Sequence, residues 1–346
     1  MQIGIDTFVS NPFDAAQRGP NTDFDRVQRL LQEVELADQV GLDVFAIGEH
    51  HRPEFVASAP AVLLAAAAAR TSNIRLSSAV TVLSSDDPIR VFQQFATLDL
   101  ISKGRAEIIV GRGSFIESFP LFGHDLSEYD SLFAEKLHLL LKVQSETEVH
   151  WTGNHRAPLT GQGVYPRPYQ NPLPIRLGVG GTPASFLRAG TLGLPLTVAI
   201  IGGEAARFRP MVDLYRRAWS KAGHDPSKAD VAIHTLGFIA ETDELAAETY
   251  YPSYSAMIAR IGKERGWPPA TRAQYDAVIG PAGSLMVGSP DTVAAKIRRL
   301  DAQLGGISRV TVLLDSGTID PPLMFKGIEL LGTGVRPNVQ SNVVTL

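Results

Sequence analysis

Apolar positions along the chain change period repeatedly, and the change predicts a βα unit used about eight times. Short runs rich in Val, Ile and Leu at 3–8, 44–48, 74–83, 106–111, 175–180, 196–201, 232–240 and 307–314 read as strands. Between them lie stretches with apolar residues at helical spacing. In 24–40, Val27, Leu30, Leu31, Val34 and Ala37 share one face, and Gly41 supplies the stop. Helices are predicted also over 60–70, 89–101, 126–145, from 184, over 205–222 and near 323–331. This alternation predicts an α/β fold, a (β/α)8 TIM-like barrel, with an open doubly wound sheet as the competitor. The chain 1–346 is expected to be one barrel domain with loop and helical insertions at roughly 112–125, 148–174 and 241–306. The last of these is expected to hold helices 244–264 and 290–304 and a short apolar piece at 285–287. Such excursions usually shape or cover the active mouth of a barrel.

Composition narrows the function classes. With 44% hydrophobic and 20% charged residues, the chain is ordinary for a globular protein. A formal charge of -4 gives no footprint for nucleic acid or an anionic membrane. Cysteine is absent, so disulfides, thiolate metal sites and thiol nucleophiles are excluded. No apolar run is long enough to span a bilayer as a helix, and the first residues, Met1 to Asp6, lack the pattern of a signal peptide. The cytoplasm is the expected location.

Barrel active sites lie at the carboxyl ends of the strands. Those ends offer Glu49, His50 and His51, then Ser84 to Asp87, Arg112, and Gly180 to Ser185. A histidine at such a mouth suits proton movement near neutral pH, and His50 is the stronger candidate. Adjacent residues at a strand end point apart, so His50 and His51 are poorly placed to share one metal ion. A metal-dependent hydrolase is therefore disfavoured, and no metal ligand set is assigned. The absence of G-x-S-x-G removes the usual flag of a serine hydrolase. His124, His138, His150, His155, His224 and His234 show no ligand spacing and receive no role, while Trp151, Trp219 and Trp267 read as packing or lid residues.

Gly180-Gly181-Thr182-Pro183-Ala184-Ser185 has the grammar of an anion site. Two glycines permit close backbone approach, Thr182 suits the N-cap, Pro183 the first helical position, and Ser185 the first turn. Free amides at a helix start with hydroxyls and no carboxylate favour phosphate. The same hexapeptide also reads as a capped helix after a tight turn. Gly288-Ser289-Pro290-Asp291-Thr292 shares the grammar but carries an acid, and reads as structural. Arg112, between glycines, can clamp a phosphate or carboxylate, or pair with a loop acid.

Together, Glu49-His50-His51, Ser102-Lys103-Gly104-Arg105 leading to Gly111-Arg112-Gly113, Pro166-Arg167-Pro168-Tyr169-Gln170-Asn171-Pro172 and Gly288-Ser289-Pro290-Asp291-Thr292-Val293 resemble the bacterial luciferase-like, flavin-dependent monooxygenase family. The resemblance runs in order over nearly the whole chain. It implies a barrel that binds FMN, reduced by a separate NAD(P)H-dependent flavin reductase, and uses oxygen on an organic substrate. By resemblance His50 is the catalytic histidine, and Glu49, Arg112, Gly180, Gly181, Thr182 and Ser185 are flavin-binding. Ala79 and Val80 match the strand-three pair that lies against the flavin ring, often through a non-proline cis peptide. A homodimer is implied too. The luciferase acid at the phosphate turn is replaced by glycine here, and Ile200-Ile201-Gly202-Gly203 stands where a tryptophan follows strand six. A deazaflavin enzyme transferring hydride on the same barrel is the nearest alternative.

Overall fold

Eight parallel strands close on themselves in the computed structural model, which describes residues 1–113, 115–266, 268–314 and 317–340. Trp267 and the tail from 341 of the expected domain lie outside these residues. The barrel strands are β1 (Gln2–Thr7), β2 (Val44–Ile47), β3 (Arg75–Ser78), β4 (Ala106–Gly111), β5 (Ile175–Val179), β6 (Leu196–Ala199), β7 (Val231–Ile239) and β8 (Arg309–Leu313). Each pairs in parallel with the next. β8 then returns to β1, with Gln2 beside Arg309 and Asp6 beside Leu313.

The strand faces explain the near-continuous apolar runs. Ile3, Ile5, Phe45, Ile47, Ile108, Val110, Leu177, Val198, Ile233, Val310 and Val312 are buried beneath the surrounding helices. The opposite faces fill the barrel, where alternation admits polar groups. Glu107 and Arg309 form a two-pronged ion pair at 2.5 and 3.1 Å, with Ser77 and Gln2 as further partners. Toward the carboxyl ends Gly48, Gly111 and Gly178 stand at inward positions, where no side chain of their own would fit beside Phe8, Ala79 and Val80.

Three expectations change. The predicted strand 74–83 is not continuous: β3 ends at Ser78 and the ladder resumes at Thr81–Val82, which pairs with β4. Between them the Ala79–Val80 peptide is cis. The excursion 148–174 contains an antiparallel hairpin, Glu148–Trp151 with Leu159–Gly163, whose alternation is masked by Gly and Pro. The excursion 241–306 holds helices Asp243–Arg265 and Pro290–Leu304, as expected, and also helix Arg272–Ile279, started by a capping box of Thr271 and Gln274. The piece at 285–287 is strand Met286–Gly288, which extends the sheet beside β7. Phe238, Tyr250, Tyr254, Tyr275, Leu285 and Val287 give this insertion an apolar cluster of its own. Among the described residues no helix is long and apolar enough to cross a membrane.

Candidate active site

The break after β3 shapes the mouth. Val80 turns inward, where a Cβ on Gly111 would stand 2.6 Å from it and one on Gly178 2.7 Å. Gly48 is equally constrained, because a Cβ there would lie 2.7 Å from the Ala79 carbonyl and 2.6 Å from Phe8. Glycine at these three strand ends therefore makes room for the Val80 side chain and the Ala79 carbonyl of the segment that follows β3. Glu49 grips that segment from both sides. Its amide donates to the Val80 carbonyl at 3.2 Å, and its Oε2 accepts from the Val82 amide at 2.9 Å. The other oxygen meets Nε2 of His51 at 2.9 Å. Glu49 and His51 thus fix the mouth's shape, and the two histidines do point apart.

His50 lies in an aromatic cage. Its ring centroid is 4.4 Å from Phe8, 4.5 Å from Phe55 and 5.1 Å from Phe115. Burial, aided by the nearby His51 and Arg52 charges, pushes its pKa down to about 3. At neutral pH His50 is therefore uncharged, able to exchange hydrogen bonds or accept a proton but not to store one. The aromatic members of this cage carry no motif, and sequence reasoning missed them.

On the adjoining side, Gly180 and Gly181 follow β5 and lead into helix Pro183–Leu192. A Cβ on either glycine would meet nothing within 4 Å, so both backbones are approachable. Thr182 has N-cap geometry but makes no side-chain cap, while Ser185 is buried in the first turn. Arg112, after β4, is paired with Asp130 at 2.5 Å and lies 5.0 Å over the Tyr129 ring. An ion pair thus forms, though with an acid in the first turn of helix Tyr129–Ser145 rather than in a loop, and that acid is itself 74% exposed. Arg188, one turn beyond Ser185, adds a second guanidinium that sequence reasoning did not single out. Burial and then the Arg112 charge depress its pKa. Their mutual repulsion is the field an anion would relieve.

Other candidates have scaffold tasks. Asp87 caps helix Pro88–Ser102 through the Ile89 and Arg90 amides, and the Ser84 carbonyl accepts from Lys136 at 2.7 Å. Asp86, His124, Lys136 and Arg156 line a neighbouring cavity of about 290 Å³, separated from His51 by Phe122. Trp219 is buried and donates to the Asp225 carbonyl at 2.7 Å, which is a packing role. His234, passed over in the sequence, lies on β7 beside Phe8 and hydrogen-bonds Asp6.

A closed parallel barrel with a buried histidine and an open helix start at the carboxyl ends of its strands places its candidate groups where barrel enzymes carry their sites. The chain belongs to the luciferase-like monooxygenase family, whose model matches residues 1–307. It is thereby an enzyme of the luciferase-like, flavin-dependent oxidoreductases.

Among its relatives, protein y4vJ of Sinorhizobium fredii, itself uncharacterized, is 32% identical over 353 residues, covering 95% of this chain and 96% of that one. A second uncharacterized protein of that organism, y4wF, is 31% identical over 187 residues, and the match spans only 54% of each chain. The N-acetyl-S-alkylcysteine monooxygenase of Bacillus subtilis is 27% identical over 80% of this chain and 83% of its own. Solved structures share the fold. Monooxygenase RslO1 from Streptomyces bottropensis has a TM-score of 0.85 at 23% identity, covering 97% and 99% of the two chains. The oxygenating constituent of 3,6-diketocamphane monooxygenase from Pseudomonas putida, in complex with FMN, has 0.77 at 22%, covering 97% and 98%. An F420-dependent secondary alcohol dehydrogenase has 0.75 at 18%, covering 98% and 99%.

Proposed function

We propose that this chain is an FMN-dependent monooxygenase that takes reduced FMN from a separate NAD(P)H-dependent reductase and uses oxygen on an organic substrate. The observation that carries the reading is the pairing of an open, cation-flanked helix start with a neighbouring strand break that holds Val80 in the mouth. The residues fit the cofactor. Gly180, Gly181, Thr182 and Ser185 offer backbone and hydroxyl donors, Arg112 and Arg188 supply charge, and Ala79, Val80 and Glu49 form the surface against which the ring would be held. When bound, reduced FMN supplies the electrons that activate oxygen.

The chain's own part is positioning, exclusion of water and control of protons. His50, kept neutral by Phe8, Phe55 and Phe115, is the hydrogen-bonding catalytic histidine, and the cage shields the reacting atoms. The substrate lies under the loops at 112–125 and 148–174. We treat the chain as one catalytic domain of the cytoplasm. An outer groove of about 440 Å³ between helices Pro60–Ala68 and Pro88–Ser102 exposes Val62 and Ile101, an apolar face that favours a homodimer. Sedimentation should show a dimer that Val62→Asp dissociates.

Purified protein should bind reduced FMN at about micromolar affinity and consume oxygen. F420 on the same barrel in a solved neighbour favours one second reading, hydride transfer by a deazaflavin without oxygen. Tight deazaflavin binding with none to FMN would replace the first reading by the second.

A further inference from the structure

His234 is a titratable group of the mouth that the flavin reading leaves without a task. It lies level with Ala199 of β6 and Thr311 of β8, and its ring centroid is 6.3 Å from Phe8, whose ring also packs on His50. Asp6, near the end of β1, hydrogen-bonds Nδ1 of His234. The Asp6 side chain is only 1% exposed. Its Oδ2 also accepts from the Thr311 hydroxyl at 2.8 Å, and its Oδ1 is buried with no hydrogen-bond partner among the described residues.

A carboxylate so removed from water needs partners of complementary charge or hydrogen bonding, and His234 and Thr311 are the two it has here. Burial disfavours the proton on His234, yet the charge of Asp6 and its hydrogen bond outweigh burial and raise the imidazole pKa. Among the described residues Asp6 is the one charged group acting on His234. Ala199 and Thr311 carry no charge, and His50, beyond Phe8, is neutral. With Nδ1 committed, Nε2 has no partner among the described residues, and the side chain remains 13% exposed. Two imidazoles thus share one aromatic wall with opposite tendencies: burial favours loss of the proton from His50, while the carboxylate of Asp6 favours its retention on His234.

We propose that His234, oriented by Asp6, is the proton donor of this mouth and delivers its Nε2 proton to the oxygen being reduced there. This rests on the flavin reading above. Bound at the turn 180–185 and against Val80, reduced FMN would supply the hydride equivalent that, without substrate, turns oxygen into hydroperoxide anion. The Nε2–H bond of His234 breaks, an O–H bond forms, and hydrogen peroxide leaves. The imidazolium becomes neutral imidazole, Asp6 keeps its charge, and solvent water returns the proton. His234 is then a catalytic residue and Asp6 a positioning residue.

Two measurements test this. Histidine NMR titration of the full chain without flavin should place the His234 midpoint above the ordinary value of about 6.5, and Asp6→Asn should bring it down to that value or below. Rapid mixing of oxygen with the FMN-loaded, reduced enzyme should then show His234→Gln reoxidising about a hundredfold more slowly, without the wild-type pH dependence. FMN affinity should stay within about twofold, and Asp6→Asn should shift the kinetic and NMR midpoints together. A wild-type His234 that is neutral at about pH 6, or a His234→Gln enzyme that reoxidises like wild type, overturns the proposal. A wild-type chain that does not bind reduced FMN overturns the flavin reading, and the proton step with it, even where the NMR midpoints come out as expected.

Discussion

Two helix starts in this chain share one grammar and end in opposite states. After strand Met286–Gly288, Ser289 caps helix Pro290–Leu304, and the anion position is filled from within: Asp243 accepts from the Ser289 amide at 2.6 Å and the Thr292 hydroxyl at 2.8 Å. After β5, the turn at 180–185 has no side-chain cap from Thr182, two approachable glycines and a pair of guanidiniums close by. The first is a finished structural joint. The second has the donors and the field but takes no carboxylate from the described residues into its turn. Similar motifs therefore separate by what faces them, and the turn that meets no acid is the candidate anion seat.

Converting the second turn into the first gives the largest expected effect. Ser185→Asp puts a carboxylate in the first turn, where the helix dipole favours it, and should weaken FMN binding by about a hundredfold, read by flavin fluorescence on protein whose fold is checked by circular dichroism. Arg112→Ala should cost about tenfold in FMN affinity, as expected for one charge-assisted hydrogen bond. Removing Asp243 tests the other turn: Asp243→Ala should destabilise the chain by about 1 to 2 kcal/mol in urea unfolding and leave FMN affinity unchanged. The Asp243 carboxyl is held below its ordinary range, first by the Ser289 amide hydrogen bond. Its contribution is thus present above the unfolded pKa of about 3.9 and lost as pH falls through the folded value, so the variant should lose part of the acid-side decline in stability. The smallest effect belongs to Asp130→Asn, which frees Arg112 and should tighten FMN binding a few-fold at low salt.

Much of this was legible in the chain. The barrel followed from period, because strands buried on both faces read as apolar runs and helices as stripes. The turn at 180–185 and His50 were legible because glycine, proline and an ionisable group at a strand end have few other uses. The break at Ala79–Val80 is hidden, since Ser77-Ser78-Ala79-Val80-Thr81 has ordinary strand composition; only the resemblance pointed to it. The hairpin at 148–163 lacks clean alternation. Arg188 carried a faint signal, lying three residues after Ser185 on one helix face. Asp6 and His234 meet only through barrel closure, but an acid in phase with Gln2 and Gly4 on the inward face of β1 was a sign that something basic lay opposite.

The most direct test of the phosphate seat is the affinity of the reduced, anaerobic protein for FMN against riboflavin, which lacks the phosphate. The turn at 180–185 with Arg112 and Arg188 predicts that FMN binds at least about a hundredfold tighter, and that Ser185→Asp erases most of the difference. Equal affinity for the two flavins in the wild-type protein would contradict it.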